Sequence, residues 1–137
     1  MSLGIDGEIT IPSEIEGYPV TKIGDYAFHN AERMTGVVIP DSVVSIGERA
    51  FANCGRLENI QFGSGVTDIG AYAFVECESL RSVVIPEGVA SMGRGAFARC
   101  SMLWNVDLPS SLKSIECFAF YQCQLQDVVV KEGTEQI

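Results

Sequence analysis

One block recurs along this chain with a constant period of 23: an aliphatic position, usually Gly, two variable positions, then Ala-Phe. It reads Ile23-Gly24-Asp25-Tyr26-Ala27-Phe28, then Ile46-Gly47 with Ala50-Phe51, Ile69-Gly70 with Ala73-Phe74, Met92-Gly93 with Ala96-Phe97, and Ile115-Glu116 with Ala119-Phe120. No insertion interrupts the series. Self-similarity at a fixed period of about 20–50 residues marks a solenoid, in which each repeat is one coil stacked on the next. One coil cannot bury its own apolar edge, so each column of equivalent residues must become a ladder.

Each repeat has three stations. The first is an alternating apolar run that usually ends at proline: Met34-x-x-Val37-x-Ile39-Pro40, Leu57-x-x-Ile60-x-Phe62-Gly63, Leu80-x-x-Val83-x-Ile85-Pro86, Leu103-x-x-Val106-x-Leu108-Pro109 and Leu125-x-x-Val128-x-Val130. Period-two alternation with β-branched residues predicts a half-buried strand. Proline ends it because it cannot donate to a ladder. The second station, Val43-x-x-Ile46 and its equivalents, predicts a second short extended stretch. The third, Gly-x-x-Ala-Phe-x-x-Cys, predicts one tight helical or 3₁₀ turn packed inward. Glycine at 24, 47, 70 and 93 either supplies positive φ or lets adjacent coils approach. Glu116 breaks that column, so the last coil is expected to differ locally.

Residues 1–22 read as a partial N-terminal repeat, and Met1-Ser2-Leu3 can be read as a cloning scar. Pro12 lies five positions farther from its Ile than Pro40 does, so a loop is expected between Ser13 and Pro19. Residues 23–137 read as about five repeats, the last atypical and truncated: Leu125 follows Cys123 one position early. Ile137 falls on the column that opens each repeat. We therefore expect an excised piece of a longer array, with weak self-association through its open end.

Charge narrows the partners. With 18 acidic and 9 basic residues the net charge is −9. Nucleic acid and anionic membrane surfaces would be repelled. No run approaches the roughly 18 apolar residues of a membrane span. The first residues lack the basic and apolar regions of a signal peptide.

The repeated pattern Leu-x-x-Ile-x-Ile-Pro-x-x-Val-x-x-Ile-Gly-x-x-Ala-Phe-x-x-Cys resembles the BspA-like class of leucine-rich repeats over about residues 7–137. The opening, Ile11-Pro12 followed by Glu16-Gly17-Tyr18-Pro19-Val20-Thr21-Lys22-Ile23-Gly24, looks like the first repeats of that family. The resemblance implies a right-handed, curved solenoid with a parallel sheet on its concave side. It also implies a secreted or surface-displayed bacterial protein, in several cases an adhesin for extracellular matrix proteins or other cells. No catalytic residue and no cofactor come with it.

The candidate chemical groups read mostly as structure. Cys54, Cys77, Cys100 and Cys123 stand 23 apart, and Ala31 holds their slot in the first coil. A column that accepts alanine suits small buried apolar residues, so we expect a thiol ladder. Disulfides between adjacent coils remain the alternative, because stacked backbones about 4.8 Å apart lie within bridging range. No Cys-x₂-Cys pair exists and His29 is the single histidine, which argues against a metal site. Cys117 shares its column with Asp25, Glu48, Ala71 and Arg94, so it is the expected exposed and reactive thiol. His29 aligns with Ala52, Val75, Ala98 and Tyr121, a tolerant column, and reads as a surface residue rather than a catalytic base. Gly63-Ser64-Gly65 is a loop rather than a phosphate cradle, since no helix carrying Lys-Ser/Thr follows it. The chain is expected not to be an enzyme.

The strand face is the most informative surface. Its outward middle positions are Val38, Gln61, Val84, Asp107 and Val129. Trp104 is the single tryptophan, in a column that otherwise holds Thr, Glu, Arg and Gln. Either it anchors a partner, as Trp and Arg do in interface hot spots, or it lies flat and shields the sheet. The expected partner site is Glu58, Arg81, Trp104, Asn105 and Asp107, and the expected partner is a protein, such as a host extracellular or cell-surface protein. The competing reading is a spacer within a longer array. A carbohydrate-binding or hydrolytic role ranks third, because this face offers one aromatic.

Overall fold

The apolar-alternating stretches fold as short strands, and each finds its partner one repeat away instead of next in sequence. The structure, a computed structural model, describes residues 6–130. In chain order the strands are β1 Gly7–Thr10, β2 Glu14–Ile15, β3 Tyr18–Pro19, β4 Lys22–Ile23, β5 Met34–Val38, β6 Ser45–Ile46, β7 Asn59–Gln61, β8 Asp68–Ile69, β9 Ser82–Val84, β10 Ser91–Met92, β11 Asn105–Leu108, β12 Ser114–Ile115 and β13 Asp127–Val130. The odd first-station strands form two parallel three-stranded sheets, β1-β5-β7 and β9-β11-β13. The second stations form one five-stranded parallel sheet, β4-β6-β8-β10-β12. The molecule is a parallel-strand solenoid of about five turns.

The register repeats with the sequence. Val37 pairs with Ile60, Val83 with Val106, and Ile46 with Ile69, each one full period further along the chain. At the C-terminal end Asn105 pairs with Asp127, one position short of a full period, so the shortened repeat is absorbed in the connection before β13. At the other end Ile9 pairs with Val37, which lies more than a full period away. The surplus folds as the antiparallel hairpin β2-β3. Positive φ at Glu16 (52°) and Gly17 (85°) is the type I′ pattern that suits a two-residue hairpin turn. Ile15 and Tyr18 on this hairpin are exposed.

The third station departs from the expected helical turn. Among the described residues it contains no α or 3₁₀ segment. In the first coil Ala27 N–H donates to the Gly24 carbonyl and Ala31 N–H to the Phe28 carbonyl, with left-handed residues Tyr26 (φ 60°) and Asn30 (φ 62°) at the third turn position. That is the type II pattern. Left-handed φ recurring at this spacing cannot continue a right-handed helix. The compensation lies between coils. The intervening N–H groups of Tyr26, Phe28 and Asn30 point sideways and donate to the carbonyls of Glu48, Ala50 and Ala52 at 2.7–2.9 Å. The same sideways ladder joins Arg49, Phe51 and Asn53 to Ala71, Ala73 and Val75. A helix would satisfy only itself; this ribbon also welds one coil to the next.

Of the two roles open to the repeated glycine, close approach is the one realised at Gly47, Gly70 and Gly93. Gly24, Gly47, Gly70 and Gly93 are not among the residues with positive φ. A Cβ at Gly70 would lie 2.7 Å from the Ile46 carbonyl oxygen, and one at Gly93 2.5 Å from the Ala71 nitrogen. Glu116 carries a Cβ at the same station. The fifth coil keeps its strand pairing and its left-handed residues Phe118 and Gln122, but its phenylalanine sits farther from its neighbour. Phe97 and Phe120 are 5.8 Å apart, against 5.0 Å for Phe51–Phe74 and Phe74–Phe97.

The core is a set of parallel ladders. Phe28, Phe51, Phe74, Phe97 and Phe120 stack with interplanar angles of 1–8°. Met34, Leu57, Leu80 and Leu103 form a second fully buried column, and Val43, Val66, Val89 and Leu112 a third. Cys54, Cys77, Cys100 and Cys123 form a fourth, without disulfides. Each thiol donates to a phenylalanine carbonyl of the preceding coil, Cys77 to Phe51 at 3.3 Å and Cys100 to Phe74 at 3.1 Å. Hydrogen bonds with Cys100 and Cys54 hold the Cys77 thiol well above its ordinary range, and burial adds to this. The ladder cysteines are packing groups that also donate to a carbonyl.

Candidate functional site

Glu58, Arg81 and Trp104 lead into β7, β9 and β11, all exposed, with Trp104 43% accessible. Trp104 stacks directly on Arg81, its N–H donating to the Arg81 carbonyl at 3.0 Å, while Glu58 N–H donates to the Thr35 carbonyl on its other side. Trp104 is thus on the surface, held by its backbone. Asn105 and Asp107 follow on β11, half-buried, and pair across to Ser82 and Val84. Val84 is exposed and Val38 half-buried, while the side chain of Val129 lies outside the described residues.

One property of the row was not anticipated. The strand face is split between β7 and β9, so Glu58 leads into one sheet and Arg81 into the other. The seam falls where Phe62-Gly63 replaces the Ile-Pro or Leu-Pro of other repeats. Phe62 turns edge-on to Phe74 at 5.9 Å. Beside the seam a cleft of about 370 Å³ is lined by Glu58, Asn59, Ser79, Arg81 and Ser82.

Cys117 is exposed at the expected station. His29 is exposed too, edge-on to Tyr26 at 5.6 Å. Ile137 lies outside the described residues. Among the described residues no group of three or more His, Cys, Asp or Glu side chains is placed to hold a metal ion, and no helix is long and apolar enough to cross a membrane.

The column of His29 has a role that reading the sequence column by column missed. A trough of about 550 Å³ runs across the coils on the turn side. Ala52, Val75 and Ala98 line its floor, and the larger His29 and Tyr121 occupy the same column at its two ends. Arg49, Tyr72 and Phe118 stand along one flank and Asn53, Glu76 and Arg99 along the other, each with left-handed φ. Arg49 lies over the Tyr72 ring at 4.5 Å and Arg94 over the Phe118 ring at 5.3 Å. Tyr72 fills the space above Gly95, where any Cβ would collide with the ring. The available signal was the small-residue run at 52, 75 and 98 between two large residues.

These repeats match a known type. The sequence profile of the BspA type Leucine rich repeat region fits residues 21–137 in six copies. The chain belongs to the BspA-type leucine-rich repeat family. Among solved structures, the T. pallidum leucine-rich repeat protein TpLRR is 34% identical with a TM-score of 0.86, over 88% of this chain and 57% of that one. A leucine-rich cell surface protein of Faecalibacterium prausnitzii A2-165 is 37% identical with a TM-score of 0.84, over 91% of this chain and 32% of that one. The pneumococcal vaccine antigen PcpA, at 21% identity and a TM-score of 0.71 over 97% of this chain and 42% of that one, shares the fold. The chain therefore spans about half or less of these proteins' lengths. No curated protein matches it.

Proposed function

We propose that this BspA-type chain is a non-catalytic protein-binding module, part of a bacterial cell-surface or secreted adhesin. The observation that carries the reading is Trp104, a large apolar side chain exposed on a backbone ladder shared with Arg81, with Glu58 one coil further along. A Trp so placed offers wide contact area with few rotatable bonds, and the flanking charges supply a polar rim. The likeness to a bacterial protein described as a cell surface protein supports the location. The expected partner class is a host extracellular or cell-surface protein.

Surface plasmon resonance against purified extracellular matrix proteins tests this. Trp104→Ala is expected to weaken a bound partner by about 2 kcal/mol or more while leaving the unfolding midpoint unchanged. A partner bound equally well by the variant would remove the site from this row. The spacer reading gains from one observation, the unbroken phenylalanine stack, which makes the coils a stiff rod whatever their surface binds.

A further inference from the structure

The turn-side trough is the chain's other distinctive surface. The chain is strongly acidic, with 18 acidic residues against 9 basic, yet three of those nine, Arg49, Arg94 and Arg99, line this one trough against a single lining carboxylate, Glu76. The guanidinium groups are held in different ways. Arg49 meets Glu48 at 3.0 Å and Arg99 meets Glu76 at 3.5 Å, both pairs partly exposed and hence weak. Arg94 is positioned by the face of Phe118. Counting the partner carboxylates Glu48 and Glu76, the trough keeps one guanidinium in excess, a local positive balance on an acidic molecule that favours an anionic ligand.

Shape selects among anions. From His29 to Tyr121 the trough crosses the stack of coils, about 20 Å at ~4.8 Å per step. An extended polypeptide rising ~3.3 Å per residue would fill that with about six residues. The floor is the side chains of Ala52, Val75 and Ala98, which offer no hydrogen-bonding group. Hydroxyl-rich sugar rings would find no partners there. Arg49 overlies Tyr72 and Arg94 overlies Phe118, so the remaining aromatic rings, His29 and Tyr121, stand only at the two ends. Small aliphatic side chains suit the floor, and carboxylates suit the arginine flanks.

We propose that this trough binds an extended acidic segment of a partner protein, with small apolar side chains against Ala52, Val75 and Ala98 and carboxylates at Arg49, Arg94 and Arg99. This site is separate from the Trp104 row, and either can fail without the other.

The test is fluorescence anisotropy with a fluorescein-labelled Glu-Ala-Glu-Val-Glu-Ala peptide, its Gln and Lys counterparts, and a labelled heparin hexasaccharide. The acidic peptide is expected to bind saturably, at least about tenfold more tightly than the Gln peptide, and to weaken as salt rises. The double variant Arg94→Glu with Arg99→Glu should lose about tenfold or more. Val75→Tyr introduces into the floor the residue that the fifth coil already carries at Tyr121, leaves every arginine in place, and should also abolish binding. Trp104→Ala should leave peptide affinity within about twofold, since the sites share no residue. Thermal unfolding confirms that each variant is folded, and the surface double variant decides alone if Val75→Tyr is not. Equal binding of the Glu and Gln peptides, heparin bound in preference to the peptide, no saturable peptide binding, or an unaffected double variant would each overturn the proposal.

Discussion

Phe51, Phe74 and Phe97 are fully buried, whereas Phe28 and Phe120, the same residue at the same station, are half-buried. The inner rungs lie 5.0 Å apart and within 6° of parallel. The outer steps are 5.2 Å and 5.8 Å. Nothing local distinguishes Phe28 from Phe74, since each follows Ala in the same block. The difference is the number of neighbours. A rung in the middle is covered by coils on both sides, and burial in a solenoid is a property of the interface between coils rather than of the coil.

The largest test of this contrast is truncation of a rung. Phe74→Ala is expected to cost about 3–5 kcal/mol, read as a lower urea midpoint. Phe28→Ala should cost less than half of that, about 1–2 kcal/mol, because less area leaves water in the first place. Equal losses would mean that the rungs do not share their burial with neighbours.

The glycine column sharpens the comparison at the backbone. A Cβ at Gly93 has to displace the backbone of the preceding coil, while one at Gly24 meets nothing within 4 Å. Gly93→Ala should therefore cost about 1–3 kcal/mol. Gly24→Ala should be neutral or stabilise by about 0.4–1 kcal/mol, through the unfolded chain alone. Thermal unfolding of the pair reads the difference, and a stable Gly93→Ala would show that the coils can part without penalty.

The cysteines give the smallest effect on stability and the clearest effect on chemistry. Cys77→Ala should cost about 1 kcal/mol and Cys117→Ala nothing measurable. Under native conditions iodoacetamide should modify Cys117 first and Cys77 last, because the thiolate is the reactive form and Cys77 is both buried and held protonated. Mass spectrometry showing early modification of Cys77 would open the ladder that the comparison rests on.

Much of this molecule can be read from residues compared down columns. The period of 23, the strands ending at Pro40, Pro86 and Pro109, the phenylalanine and cysteine ladders, the surplus between Ser13 and Pro19, and the exposure of Trp104 and Cys117 all follow from which residue types a column accepts. Stacking repeats the same environment in each coil, so side-chain chemistry alone reports the inside and the outside. Two things needed the tertiary structure. The left-handed turns place positive φ on Tyr26, Arg49 and Tyr72, residues with no preference for it, because hydrogen bonds to the next coil outweigh local propensity. The trough joins Arg49 to Tyr72 in the next coil and sets both beside Ala52 and Val75 in another column. A column records what one station tolerates. Contacts that cross between columns and coils exist only once the coils are stacked, and there the packing of unlike neighbours decides the surface.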